Sequence, residues 1–74
     1  MDKAQQQRVK QRFGARVREL REARKMSQEE VAFAANLDRS YLSAIERGKR
    51  NLSLVNIYRI ASALQVKPWT LFTE

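Results

Sequence analysis

The chain has 74 residues, 43% hydrophobic and 31% charged, with two glycines, one proline and no cysteine or histidine. This composition excludes a disordered chain and a disulfide-stapled scaffold, and it argues against metal, redox or general-base chemistry. The net charge of +7 makes a polyanion the first candidate partner, although surplus charge also serves simply to keep a small protein soluble.

The first predicted helix follows a polar lead-in. Residues 1–12, MDKAQQQRVKQR, are polar and basic and predict a frayed or solvated helical segment. Beyond them, three apolar residues recur at the i, i+4 and i+7 spacing of one helix face: Phe13, Val17 and Leu20. Arg24 and Lys25 suit the negative end of the helix dipole and predict where this helix ends. We therefore divide the chain into the lead-in and one domain over residues 13–74.

The remaining helix starts are predicted from capping residues. Ser27 is followed three residues later by Glu30, which is the pattern of a capping box. Asp38 and Ser53 are the corresponding cap residues of the third and fourth helices. Pro68 is suited to the first turn of a short fifth helix, because that position needs no backbone N–H.

The ends of the second and third helices place these two helices close together in the chain. Helix two is expected to end near Ala35, because Asn36 tolerates the left-handed conformation and Asp38 already begins the next helix. Gly48 is the preferred residue after a helix end and predicts the end of helix three. Two short helices joined by so short a turn form a helix-turn-helix. We predict an all-α fold, a compact bundle of about five short helices, with the helix-turn-helix at helices two and three.

The segment SQEEVAFAANLDRSYLSAIERGKRNLSL resembles the DNA-binding domain of phage repressor and Cro-type regulators, and the likeness covers residues 13–72. It has the SQEE start, the IERG end and three packing residues of that motif: Ala32, Leu42 and Ile45. Asn36 stands in place of a frequent turn glycine, and Leu52 in place of a frequent proline. Both departures, with the NLDR-aromatic and IER-loop-RNL patterns, are similar to the controller proteins of restriction–modification systems.

One face of helix three predicts contacts to DNA bases. At about 100° per residue, four polar residues lie within roughly a quarter of the helix circumference, away from the packing side: Arg39, Ser40, Ser43 and Arg47. In a major groove, Arg39 is suited to bidentate bonding with guanine, and Ser40 to a neighbouring base or phosphate. Tyr41 is a further base-contact candidate, although its position equally allows a role in lining the core or in meeting a phosphate. The resemblance to controller proteins implies that Arg50 reaches a base or the minor groove.

Four residues are assigned to phosphate contacts: Gln28, Arg47, Lys49 and Asn51. Gln28 begins helix two, where free N–H groups and the helix dipole favour an anion, and the family pattern implies that its amide also donates to the backbone. Lys49 and Asn51 follow helix three, where a DNA strand is expected to pass. The family pattern also implies an internal salt bridge between Arg21 and Glu46, which we interpret as structural.

A single recognition helix contacts too few base pairs to select one site, so we expect a homodimer on half-sites about one DNA turn apart. Five residues near the chain end are candidates for its interface: Tyr58, Val66, Trp69, Leu71 and Phe72. Closing the monomer core explains Leu71 and Phe72 equally well, so Trp69 is the stronger interface candidate.

The expected partners are an operator in double-stranded DNA and a second copy of the chain. We expect no cofactor, metal or small-molecule ligand, and no enzymatic activity, because no nucleophile–base pair is evident. No apolar run approaches the roughly 18 residues that span a bilayer and no signal peptide is evident, so a cytoplasmic location is expected. Two alternatives remain open. One is an antitoxin-like adaptor whose basic face binds an acidic protein, and the other is non-specific coating of DNA or RNA.

Overall fold

The computed structural model describes residues 1–73 as four α-helices and a C-terminal 3-10 helix. In chain order these are α1 (Lys3–Ala23), α2 (Gln28–Ala35), α3 (Arg39–Glu46), α4 (Leu54–Ala63) and the 3-10 helix (Pro68–Phe72). No strand is present in that range, which confirms the predicted all-α bundle of about five short helices. Across the same residues, no helix has the length and apolarity needed to cross a membrane.

Helix α1 begins ten residues earlier than its apolar pattern indicates. The Asp2 carboxylate accepts a hydrogen bond from the Gln5 backbone at 2.8 Å, and the Gln5 side chain accepts one from the Asp2 backbone at 2.9 Å. This capping box begins the helix at Lys3, and the helix continues without a break through residues 12 and 13. Residues 3–12 are helical and mostly exposed, which agrees with the expected solvated helical segment and not with a frayed one.

Side-chain caps begin two further helices, and a third predicted cap is missing. Ser27 Oγ accepts from the Glu30 backbone at 3.0 Å, and Ser53 Oγ accepts from the Asn56 backbone at 3.1 Å. Asp38 occupies the cap position of α3 but makes no side-chain capping bond, so that prediction was wrong. Its carboxylate is left exposed beside the first turn of α3.

The chain turns out of each α-helix through a residue with positive φ. These residues, one after each helix, are Lys25 (56°), Asn36 (57°), Gly48 (73°) and Gln65 (57°). The left-handed conformation lets a backbone N–H just beyond the helix pair with a carbonyl of the last turn, which would otherwise lack a partner. The predicted ends at Asn36 and Gly48 are confirmed, and the connections between helices are correspondingly short.

The core contains one contiguous cluster of buried apolar side chains drawn from every helix: Val17, Val31, Ala32, Leu42, Ile45, Ile60, Ala61, Leu64 and Leu71. Leu71 is only 1% exposed, so its assignment to a dimer interface was wrong. It points into the core because the C-terminal 3-10 helix packs against α1 and α4.

Helix α1 lies unusually close to α3. A Cβ atom at Gly14 would overlap the carbonyl oxygen of Ile45 and lie 3.0 Å from the carbonyl atoms of Glu46. Only glycine permits this approach, and it fixes the position of α3 relative to the rest of the bundle.

Candidate nucleic-acid interface

The turn between α2 and α3 is stabilised by backbone hydrogen bonds. The N–H of Leu37 donates to the Ala32 carbonyl at 2.8 Å, and that of Asn36 donates to the Phe33 carbonyl at 3.1 Å. Ala32 is itself buried between the helices, where a larger side chain would separate them. The packed side of α3 is therefore fixed, and its opposite side faces outward.

The outward side of α3 presents the polar residues that the sequence placed there. Arg39, Ser40 and Arg47 are exposed, and Ser43 is half-buried. None of these four side chains has a hydrogen-bond or ion-pair partner among residues 1–73. Exposed donors without internal partners are available to base edges and phosphate oxygens.

Tyr41 lies at the border between this outward side and the core. Its ring is half-buried and packs against the core cluster. Its hydroxyl accepts a hydrogen bond from the Asn56 side chain at 3.3 Å, and the Arg50 guanidinium carbon lies 4.8 Å from the ring centroid. Tyr41 therefore connects α3 to α4 and supports Arg50 in the loop that follows α3.

The amide of Gln28 forms a hydrogen bond within the protein. Its Nε2 donates to the Glu46 carboxylate at 3.1 Å, which uses one of its two N–H groups. The expected donation of this amide to the backbone stays a prediction. The first turn of α2 also carries Glu29 and Glu30. Hydrogen bonds from the Ser27 backbone and hydroxyl lower the pKa of Glu30, which keeps this carboxylate charged. Two carboxylates reduce the attraction of this helix start for a phosphate.

The structure brings Arg21 and Glu46 together in a bidentate salt bridge. Arg21 Nε lies 2.7 Å from one carboxylate oxygen and its Nη2 lies 3.0 Å from the other. A third guanidinium nitrogen donates to the Met26 carbonyl at 2.8 Å. The hydrogen bond to Glu46 raises the pKa of Arg21. The side chains are only 12% and 3% exposed, so this pair links α1 to α3 and is not available to DNA.

The loop after α3 carries the other predicted phosphate contacts. Lys49, Arg50 and Asn51 are all exposed. Gly48 precedes them with no space for a side chain, because a Cβ there would lie 2.7 Å from Gln11 Cγ. Its carbonyl accepts a hydrogen bond from the Gln7 side chain at 3.0 Å. Helix α1 therefore holds the loop in place.

The predicted dimer residues fall into separate groups. Tyr58, Trp69 and Phe72 are 55%, 62% and 61% exposed, whereas Val66 is half-buried against the core. Phe72 also packs against Phe13, with ring centroids 5.4 Å apart. Two exposed residues of α4 were not predicted to lie at this surface: Leu54 and Val55, which share a helix face with Tyr58 at the i, i+1 and i+4 spacing.

Phe33 was also missed. It is 89% exposed on α2 and shares a shallow groove with Leu37, Asp38 and Arg39. The apolar spacing of Val31, Ala32 and Ala35 defines the buried face of α2, and Phe33 falls outside it. That spacing could have identified Phe33 as an exposed side chain.

Comparison with known proteins is consistent with this geometry. The family model described as "HTH_3: Helix-turn-helix" matches residues 17–68. The control protein C.BamHI of Bacillus amyloliquefaciens is 53% identical over 57 residues, covering 76% of this chain and 70% of that protein. The crystal structure of the restriction–modification controller protein C.AhdI from Aeromonas hydrophila superposes with a TM-score of 0.83 at 55% identity, covering 84% of this chain and 94% of that one.

A third likeness is to a protein in complex with DNA. The structure of C.Esp1396I bound to a 25 base pair operator site matches with a TM-score of 0.77 at 34% identity, covering 84% of this chain and 82% of that chain. The resemblance to controller proteins inferred from the motif is thereby confirmed.

Proposed function

The chain belongs to the helix-turn-helix family HTH_3 and is a DNA-binding regulator, and we propose that it binds a palindromic operator as a homodimer and acts as a restriction–modification controller protein. The observation that carries this proposal is the outward side of α3, whose polar side chains have no partner within residues 1–73. A relative with the same fold is bound to an operator, which supports the same kind of ligand here.

Arg39 is the proposed determinant of base specificity. It is the first residue of α3, and the N-terminal residues of a recognition helix are those that enter the major groove. An arginine there bonds bidentately to guanine O6 and N7, and a good bidentate pair contributes about 1–3 kcal/mol of discrimination. Ser40 and Ser43 lie beside it for secondary contacts.

Lys49, Arg50, Asn51 and Arg47 are proposed to bind the phosphate backbone, and Arg50 also to reach a base. Their exposure supports this, as does the cation–π contact that holds Arg50 against Tyr41 on α3. Contacts to phosphates release counterions, so the affinity falls steeply as the salt concentration rises.

The homodimer is proposed to form through exposed apolar side chains of α4 and of the C-terminal 3-10 helix. Four of them are more than half exposed and are available to a second copy: Leu54, Val55, Tyr58 and Trp69. Burial of such side chains stabilises a two-fold interface, in which each subunit contributes the same surface.

Selection of bound sites from random duplex DNA tests the whole proposal. We expect one enriched palindrome whose half-sites lie about one DNA turn apart. Arg39→Ala should relax the preference at one position of each half-site. Arg8→Ala removes the same charge and should not, because Arg8 lies on the opposite side of α1 from buried Val17.

Two results would contradict the proposal. Binding to all sequences with equal affinity would indicate non-specific coating of nucleic acid. No measurable binding at low salt would favour an adaptor that binds an acidic protein, because the phosphate contribution is strongest under those conditions.

A further inference from the structure

The first two turns of α1 have no core to pack against, yet they continue the stripe of α1 that packs on the core farther along. Val17 is fully buried on that stripe. Lys10 and Lys3 precede it by seven and fourteen residues, spacings that return to nearly the same side of a helix. The side of α1 that packs on the core at Val17 therefore carries Lys3 and Lys10 in the first turns of the helix, beyond the edge of the core. We call these first turns the lysine-bearing segment.

This lysine-bearing segment lies beside the loop that follows α3. Gln7 donates a hydrogen bond to the Gly48 carbonyl at 3.0 Å. One shallow cleft is lined by Gln6, Lys10 and Asn51, and a neighbouring cleft places Lys10 together with Arg50. The proposed phosphate-binding loop and the first turns of α1 thus form one continuous surface.

The charge of this surface is almost entirely positive. Lys3 and Lys10 add to Lys49 and Arg50, and the amides of Gln6 and Asn51 lie near them. Asp2 is the only acidic residue before Glu19, and its carboxylate is engaged as the cap of α1. A polyanion that binds at the loop after α3 therefore lies next to the lysines of α1.

We propose that Lys3, Gln6 and Lys10 form a second contact with the DNA backbone, binding phosphates next to those bound by the loop after α3. At about 1.5 Å per residue the two lysines lie roughly 10 Å apart along α1, which corresponds to about three phosphates at 3.4 Å per nucleotide along the duplex axis. This inference rests on the proposed function, because it requires the loop to face DNA. It assigns DNA contacts to residues 1–12, for which the sequence predicts only a frayed or solvated helical segment.

The test is a titration of the selected operator at several salt concentrations with Lys3→Gln, Lys10→Gln and the double variant. Each lost phosphate contact should reduce the slope of log K against log salt by about 0.9, which corresponds to a roughly eightfold weaker affinity at 0.1 M salt when binding at 1 M is unchanged. The double variant should lose about twice the slope. Hydroxyl-radical footprints should lose protection at the backbone positions next to those bound by the loop and keep it in the rest of each half-site.

The matched control is Arg8→Gln, which removes one charge from the opposite side of the same helix. Lysine, arginine and glutamine have similar helix propensities, so α1 is retained in all variants, as circular dichroism would verify. If Arg8→Gln changes the slope as much as Lys10→Gln, or if neither changes it, the proposed contact is overturned while operator binding by α3 stands. If the wild-type chain protects no discrete site, the proposed function itself fails.

Discussion

The Arg50 guanidinium carbon lies 4.8 Å from the centroid of the Tyr41 ring. Through this contact Tyr41 holds the loop after α3 against α3, so that Arg50, which is proposed to contact DNA, depends on Tyr41 for its position. A cation–π contact at a partly exposed site contributes about 0.5–1 kcal/mol.

Tyr41→Leu should therefore weaken operator binding partly through Arg50. In a double-mutant cycle with Arg50→Ala, the two losses should be less than additive, because each substitution removes the same contact. Tyr41→Phe keeps the ring and removes only the hydroxyl that accepts from Asn56, so it should retain the coupling with Arg50. Strict additivity in binding titrations of Tyr41→Leu with Arg50→Ala would show that the two residues act independently.

Removing one member of the Arg21–Glu46 pair should destabilise the fold strongly. Both side chains are nearly buried, and loss of either leaves the other charge without its partner. For such a pair the typical cost is about 3–5 kcal/mol. Urea unfolding of Arg21→Met and Glu46→Leu should show this loss, and the double variant should be more stable than either single one. Weak DNA binding by a single variant would then reflect stability and not a lost DNA contact.

The capping box at the start of α2 should make the free energy of unfolding depend on pH in the acidic range. Hydrogen bonds from Ser27 lower the folded-state pKa of Glu30 below its ordinary value of 4.5. A depressed folded pKa means that the stabilisation is present above the unfolded-state pKa and is lost as the pH falls through the folded-state pKa. Thermal unfolding between pH 6 and about pH 3 should therefore show a loss that is smaller in Glu30→Gln, where the side chain still accepts from Ser27 but does not titrate. Equal acid sensitivity in both chains would assign the loss to other carboxylates.

Trp69 and Leu71 should respond in opposite ways to the same substitution. Trp69 is 62% exposed, so Trp69→Asp should give a folded monomer with much weaker operator binding. Leu71 is 1% exposed, so Leu71→Asp buries a carboxylate and should unfold the chain. Sedimentation equilibrium and circular dichroism distinguish the two results. A dimer of unchanged mass in Trp69→Asp would remove this residue from the interface.

Local signals in the sequence predicted most helix boundaries, because caps and left-handed residues act over a few positions. Ser27, Asn36 and Gly48 each marked a boundary that the structure confirms. Asp2 is a polar signal of the same kind as Ser27, and its cap begins α1 ten residues before Phe13, the first apolar residue of the helix pattern. Apolar periodicity indicates only which part of a helix is buried. It does not show where the helix begins when the first turns are exposed.

The site was predictable where one helix face determines it and less so where distant residues meet. The outward side of α3 follows from the spacing of Arg39, Ser40 and Arg47, and the structure places these three at the surface. The bond from Gln28 to Glu46 joins residues eighteen positions apart, and no local pattern identifies such a partner. Likewise, five residues of 3-10 helix are too few for periodicity to show that Leu71 faces inward.

Lys25 is a position at which a substitution is expected to stabilise the fold. Its φ of 56° is a conformation that costs a residue with a Cβ about 1–2 kcal/mol and costs glycine almost nothing. Lys25 lies at the exposed connection between α1 and α2, outside the proposed DNA and dimer residues. Lys25→Gly should therefore raise the melting temperature of the chain and leave the residues proposed to select the operator unchanged.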